Sequence, residues 1–111
     1  MNIESRQSGN VVVATLKGRM DAVTAPEFDS WFSVRMQAGE HRLVLDMAEL
    51  DYISSAGLRS LLAAAKQIKA AAGAVVLCGL AGTVAEVFKM SGFTAIFTVV
   101  ATPEEALSAM G

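Results

Sequence analysis

From Arg42 onward the sequence alternates short apolar runs with amphipathic stretches, and only a few residues separate each from the next. Arg42-Leu-Val-Leu-Asp-Met47 reads as a short buried strand ending in an acid. After residues 48–53, read as a connection, Leu58, Leu61, Leu62, Ala65, Ile68 and Ala72 recur at helical spacing, with Arg59, Lys66 and Gln67 free to face water. Gly73 stops that helix and Ala74–Leu77 starts the next strand. Thr83-Val-Ala-Glu86 has the form of a capping box and opens a helix carrying Val84, Val87, Phe88 and Met90, closed by Gly92. Phe93–Val100 holds a strand in its second half, and Thr102-Pro-Glu-Glu105 opens a terminal helix. Strands joined through helices by such short connections return as crossovers, which calls for a largely parallel sheet.

The first third adds an antiparallel edge. Val11-Val-Val-Ala-Thr-Leu-Lys17 is a strand, preceded by the turn-like Ser8-Gly9-Asn10 across which Ile3–Gln7 can pair. Gly18 ends the run and Asp21 follows in a loop. Thr24-Ala-Pro-Glu27 matches a capping box, and Phe28, Trp31, Phe32 and Arg35 follow on one face until Gly39. The expected fold class is α/β, one domain over residues 1–111 with a mixed, mainly parallel sheet, crossover helices and an N-terminal hairpin.

Composition agrees and removes several functions. At 111 residues, 53% hydrophobic and 18% charged, the chain has room for one domain and is expected to fold around an apolar core. A mean hydropathy of +0.46 raises the question of a membrane. The apolar stretches Gly73–Gly82 and Gly92–Ala101 are each far short of the ~20 residues that a spanning helix needs. Glu4 sits where a signal peptide would carry basic residues, so a cytoplasmic protein with no membrane partner is expected. The net charge is −2 and the basic residues are scattered singly, which argues against nucleic acid as a partner. A single cysteine and a single histidine exclude an internal disulfide and a usual structural zinc site, and Cys78 reads as a small buried hydrophobe.

Catalytic sets are missing. His41 lies between Glu40 and Arg42 and reads as a solvated loop residue, and no nucleophile motif or phosphate loop occurs. Gly79-Leu-Ala-Gly82, between a strand and a helix, could offer N–H groups to an anion, although a tight turn is the simpler role. With Asp46 at a strand end it supports one enzyme alternative, a small nucleotide-binding protein, but no base or metal set accompanies it. No enzyme activity and no cofactor are expected.

Asp51-Tyr-Ile-Ser54-Ser55-Ala-Gly57-Leu58 is the unusual segment. Its two hydroxyls at a helix start are good caps. Gly57 fits a cap less easily, because glycine in a helix costs up to ~1 kcal/mol relative to alanine. Its presence implies close approach by a strand of the same domain or by a partner. A phosphate there would meet unpaired N–H groups and the positive end of the helix dipole.

The sequence resembles the STAS domains of bacterial anti-sigma factor antagonists. The resemblance rests on Gly18-Arg-Met-Asp21-Ala-Val-Thr-Ala-Pro-Glu27, Leu43-Val-Leu-Asp46, Leu50-Asp-Tyr-Ile-Ser-Ser-Ala-Gly-Leu-Arg59, Gly92-Phe93 and Thr102-Pro-Glu-Glu-Ala106, and it covers nearly the whole chain. It implies partner switching: the unmodified antagonist binds an anti-sigma factor that is also a serine kinase of GHKL type. Phosphorylation by that kinase blocks binding, and a PP2C-type phosphatase restores it. ATP and magnesium would belong to the kinase. Where the sporulation branch has its modified hydroxyl immediately before glycine, this sequence has Ala56. Sequences similar to this one, with Ser-Ser-Ala-Gly, take the phosphate on the second serine, which is Ser55, with Ser54 the alternative acceptor and helix cap. Asp21, Thr24, Ser54, Ser55, Ala56, Gly57 and Arg59 are the implied partner-binding residues, and a monomer is expected. Asp21 could equally be an ordinary loop or cap carboxylate. A second interaction reading is a STAS subunit docking on a transporter ATPase without phospho-switching.

Overall fold

The computed structural model describes residues 1–110. Its elements are β1 (Asn2–Ser8), β2 (Val11–Met20), α1 (Ala25–Gln37), β3 (Arg42–Asp46), β4 (Leu50–Ile53), α2 (Ser55–Ala70), β5 (Ala74–Cys78), α3 (Gly82–Met90), a 3₁₀ turn at Phe93–Ala95, β6 (Thr98–Val100) and α4 (Pro103–Met110). The sheet runs β1-β2-β3-β5-β6, with β4 paired to β2 away from that path. β1 pairs antiparallel with β2, and every other pairing is parallel. The expected architecture is therefore present. Gly9, at φ 60°, occupies the first central position of the two-residue hairpin turn, where a primed turn needs a positive φ.

Alternation along the strands makes two cores. Val12, Ala14, Leu16, Leu43, Leu45 and Leu77 face Phe28 and Phe32 of α1, Leu61 and Ile68 of α2, and Phe88 of α3. Val11, Val13, Val44, Val76 and Cys78 face the opposite way and pack on Ala106 and Met110 of α4. Such two-sided burial explains why the strands read as continuous apolar runs.

Several local expectations need correction. Gly18 does not end β2. The strand continues to Met20, and at Gly18, φ 92°, its register shifts at a bulge as the chain leaves β3 for β4. β4 itself falls within residues read as a connection, and its burial pattern has only its two ends inside. Four residues are too few to display a period of two.

Neither Thr24 nor Thr83 forms the expected capping box. Thr24 is the residue before α1, but its hydroxyl donates to the Arg19 carbonyl of β2 and caps no N–H of the helix. α3 begins one residue before Thr83, whose hydroxyl donates to the Asp51 carbonyl at 3.3 Å. Thr102 does cap α4, accepting from Glu105 N–H at 3.2 Å. Met90 lies outside the core at 86% exposure, because it sits about 200° around the helix from Phe88, away from the face that Val84 and Phe88 bury.

Ala72 is exposed as well and, at φ 58°, takes the left-handed position after α2 where Gly73 was expected. Ala72 N–H donates to Lys69 C=O and Gly73 N–H to Ile68 C=O, which closes the helix in a Schellman arrangement. Glycine is needed at 73 for another reason, since a Cβ there would run into the His41 carbonyl. His41 is half-buried and its Nε2 lies 3.2 Å from Met36 O, so it is less solvated than its charged neighbours imply.

Candidate functional site

The last residues of β2 organise the region around the N-terminus of α2. Arg19 C=O accepts from the Thr24 hydroxyl at 2.7 Å, which ties the start of α1 to the strand. Met20 C=O accepts from Ser54 N–H at 2.9 Å, which ties down the start of α2. Asp21 locks the turn between them. Its Oδ1 accepts from Val23 N–H and Thr24 N–H, each at 3.0 Å, while its own N–H donates to Thr24 Oγ1 at 2.9 Å. The Thr24 N–H bond foremost, then Val23 N–H, the Thr24 hydroxyl and the Arg19 charge, hold the Asp21 carboxyl below its ordinary value against some desolvation. Asp21 is thus a loop-organising carboxylate, with Oδ2 lying 3.7 Å from Arg19 Nε.

Ser54 has extended backbone angles, φ −95° and ψ 175°, and its Oγ accepts from Gly57 N–H at 3.3 Å. That is the geometry of an N-cap, and the serine is half-buried. Ser55 begins the helix proper and is exposed. The first turn of α2 contains no acid, so the positive end of its dipole is unopposed from within the helix. Ala56 is half-buried and Arg59 exposed, and both border a groove of about 460 Å³ between α1 and α2, with Ala25, Asp29 and Phe32 among its other walls.

The glycine at 57 is explained inside the domain. It is buried, and a Cβ there would lie 2.8 Å from Met20 O, 2.8 Å from Ile53 Cγ1 and 3.0 Å from Met20 Cγ. Close approach was expected, and the neighbour is the domain's own β2–β4 corner. The structure therefore brings Asp21, Thr24, Ser54, Ser55, Ala56 and Arg59 to one end of the molecule, with Gly57 beneath them as a spacer.

Two surface residues of this end were not singled out from the sequence. Val23 is 84% exposed in the Asp21 loop, and Tyr52 on β4 is 38% exposed with the Arg19 guanidinium 4.2 Å from its ring centroid. Large apolar side chains beside a candidate switch segment are the signal that could have found them. The Asp46 and Gly79–Gly82 pairing, by contrast, makes a turn. Asp46 Oδ1 accepts from Ala48 N–H at 3.0 Å, and a Cβ on Gly79, φ 74°, would lie 3.0 Å from that oxygen and from Ala48.

A family model described as the STAS domain matches residues 2–106. The chain belongs to the STAS-domain family. BtrV of Bordetella bronchiseptica, named as an inferred anti-sigma factor antagonist, is 39% identical to this STAS domain over 109 residues, which cover 98% of this chain and 94% of BtrV. An anti-sigma factor antagonist of Mycobacterium paratuberculosis has a similar structure, with TM-score 0.89 at 21% identity, covering 98% of this chain and 92% of that one. The Bacillus cell fate determinant SpoIIAA, solved in its phosphorylated form, gives TM-score 0.76 at 22% identity over 99% of this chain and all of that chain (100%). At these identities the two structures attest the fold. No helix of the described residues is long and apolar enough to cross a membrane.

Proposed function

We propose that this STAS domain is an anti-sigma factor antagonist that binds an anti-sigma factor through the α2 N-terminal end and is switched off by phosphorylation of Ser55. The observation that carries the reading is the division of labour between adjacent serines: Ser54 is committed as the helix cap while Ser55 stands exposed at the first helical position. The 39% identical relative named as an anti-sigma factor antagonist supports the partner class. The kinase is an anti-sigma factor of GHKL type and the phosphatase is of PP2C type. The STAS domain is substrate and ligand in this cycle, with no catalytic residue or cofactor of its own, and it acts in the cytoplasm as a monomer.

The physics of the switch follows from the placement of the hydroxyl. A phosphoryl group on Ser55 carries about −1.5 to −2 charges at neutral pH. It sits where Ser55 and Ala56 N–H groups lack intrahelical partners, so the modified domain keeps its fold. A partner surface that seats a neutral hydroxyl must instead bury a dianion, at a cost of several kcal/mol unless it is paired. Each 1.4 kcal/mol is about tenfold in affinity, so binding falls by orders of magnitude. Val23, Tyr52 and Arg59, exposed at the same end of the molecule, offer apolar and cationic surface to the partner in this reading.

The test uses the cognate kinase identified by pull-down with and without ATP. Ser55→Ala should retain tight binding and take up no phosphate, and Ser55→Asp should bind at least about a hundredfold more weakly. Equal, tight binding by both variants, or phosphate mapped to Ser54, would overturn the assignment.

A further inference from the structure

The far end of α2 carries a feature that the partner switch does not use. A groove of about 380 Å³ lies between the C-terminal half of α2 and the sheet margin at β5 and β6. Leu62, Val75, Ile96 and Phe97 supply apolar walls, and Lys66 and Lys69 border it from the helix. Ile96 is left 56% exposed here, although the core beneath is closed by Ile68 and Phe97.

The charge around the groove has one sign. No aspartate or glutamate lines it. Lys66 and Lys69 stand three residues apart on one helix, where like charges repel. Neither enters an ion pair among the described residues, whereas Lys17 has Glu4 at 3.0 Å and Glu49 at 3.8 Å. Two unneutralised ammonium groups beside an apolar slot, in a chain of net charge −2, match a ligand with an anionic head and an apolar body. The volume lies at the lower end of small-molecule sites, which run from roughly 300 to 1,000 Å³, and suits one acyl chain better than a protein helix.

We infer that the groove binds a fatty acid, with its chain laid on Leu62, Val75, Ile96 and Phe97 and its carboxylate held by Lys66 and Lys69. Occupancy covers Ile96 and relieves the lysine pair. The site is separate from Ser55, at the opposite end of α2, so Ser55→Ala leaves fatty-acid binding unchanged.

The experiment is an amide NMR titration of the full chain with dodecanoate below its micelle concentration, with dodecanol and acetate in parallel. Dodecanoate should produce saturable shifts at Val75, Ile96 and Thr98 and none at Ser54–Ala56. Dodecanol should bind about tenfold or more weakly, and acetate should leave the groove amides unmoved. The exposed double substitution Lys66→Gln/Lys69→Gln should weaken dodecanoate about tenfold, and Ile96→Glu should abolish saturation by placing a carboxylate on the chain's path. Absence of saturable shifts, shifts elsewhere, or equal binding of dodecanol would overturn the inference. So would tighter binding in the groove by an acidic amphipathic peptide than by dodecanoate, because the occupant would then be a protein.

Discussion

Replacing Gly57 with alanine sets two opposed effects against each other at one atom. In an exposed helix the change would stabilise by up to ~1 kcal/mol, because alanine loses less backbone entropy. Here the new Cβ would lie 2.8 Å from Met20 O and 2.8 Å from Ile53 Cγ1. The isoleucine can adjust, but Met20 O is main chain and already holds Ser54 N–H at 2.9 Å. Relief therefore requires α2 to move away from β2, and overpacking of this kind costs ~1–3 kcal/mol. The net expectation is a loss of about 1–2 kcal/mol, or roughly 5–10 °C in melting temperature for a domain of this size. Urea unfolding followed by circular dichroism, alongside a thermal melt, measures both. A Gly57→Ala protein as stable as the parent would refute the spacer role and return the glycine to a partner contact.

Other outcomes follow from neighbouring features. Ser54→Ala should cost about 1 kcal/mol through loss of the cap to Gly57 N–H, while Ser55→Ala should stay within about 0.5 kcal/mol in the same urea assay. Ala72→Gly should stabilise by about 0.5–1 kcal/mol, since glycine takes φ 58° without the Cβ clash. Because Asp21 titrates below its ordinary value when folded, its contribution is complete above the unfolded pKa near 3.8 and is lost as pH falls through the lower folded value. Urea midpoints below about pH 4 should therefore fall less steeply with acid in Asp21→Ala than in the parent. Burial, with the charges of Asp46 and Glu104, pushes the Cys78 thiol up to about 12, so a thiol reagent at pH 8 should label it only as fast as the domain opens. Labelling of the native protein at the rate of a free cysteine would contradict its placement.

Legibility in the sequence depended on how many residues shared a signal. β3 and β5 are continuous apolar runs and α2 repeats its apolar spacing over several turns, so all three could be read directly, and Gly57 announced close approach through its cost in a helix. β4 could not be read, because four residues with only their ends buried look like a loop. Thr24 and Thr83 misled because a hydroxyl near a helix start can serve a carbonyl from another element, and only the tertiary path shows that Arg19 and Asp51 present theirs. Val23 and Tyr52 stand beside the candidate switch segment in the sequence, but only the fold shows that their side chains are left exposed. Asp21 was recognised as important, but the three groups that occupy its Oδ1 come from the turn it closes.

The mounting of α2 and of the Asp21 turn uses the backbone of Arg19, Met20 and Ser54 together with the side chains of Asp21, Thr24 and Ser54, none of which lies in the exposed set at 23, 52, 55 and 59. Scaffold and vocabulary are thereby separated. The side chains at 23, 52, 55 and 59 can be rewritten without disturbing the bonds that hold the platform in place. A cell could keep several such domains of identical shape, each addressed to its own partner by a few exposed residues, with insulation between pathways residing in side chains alone.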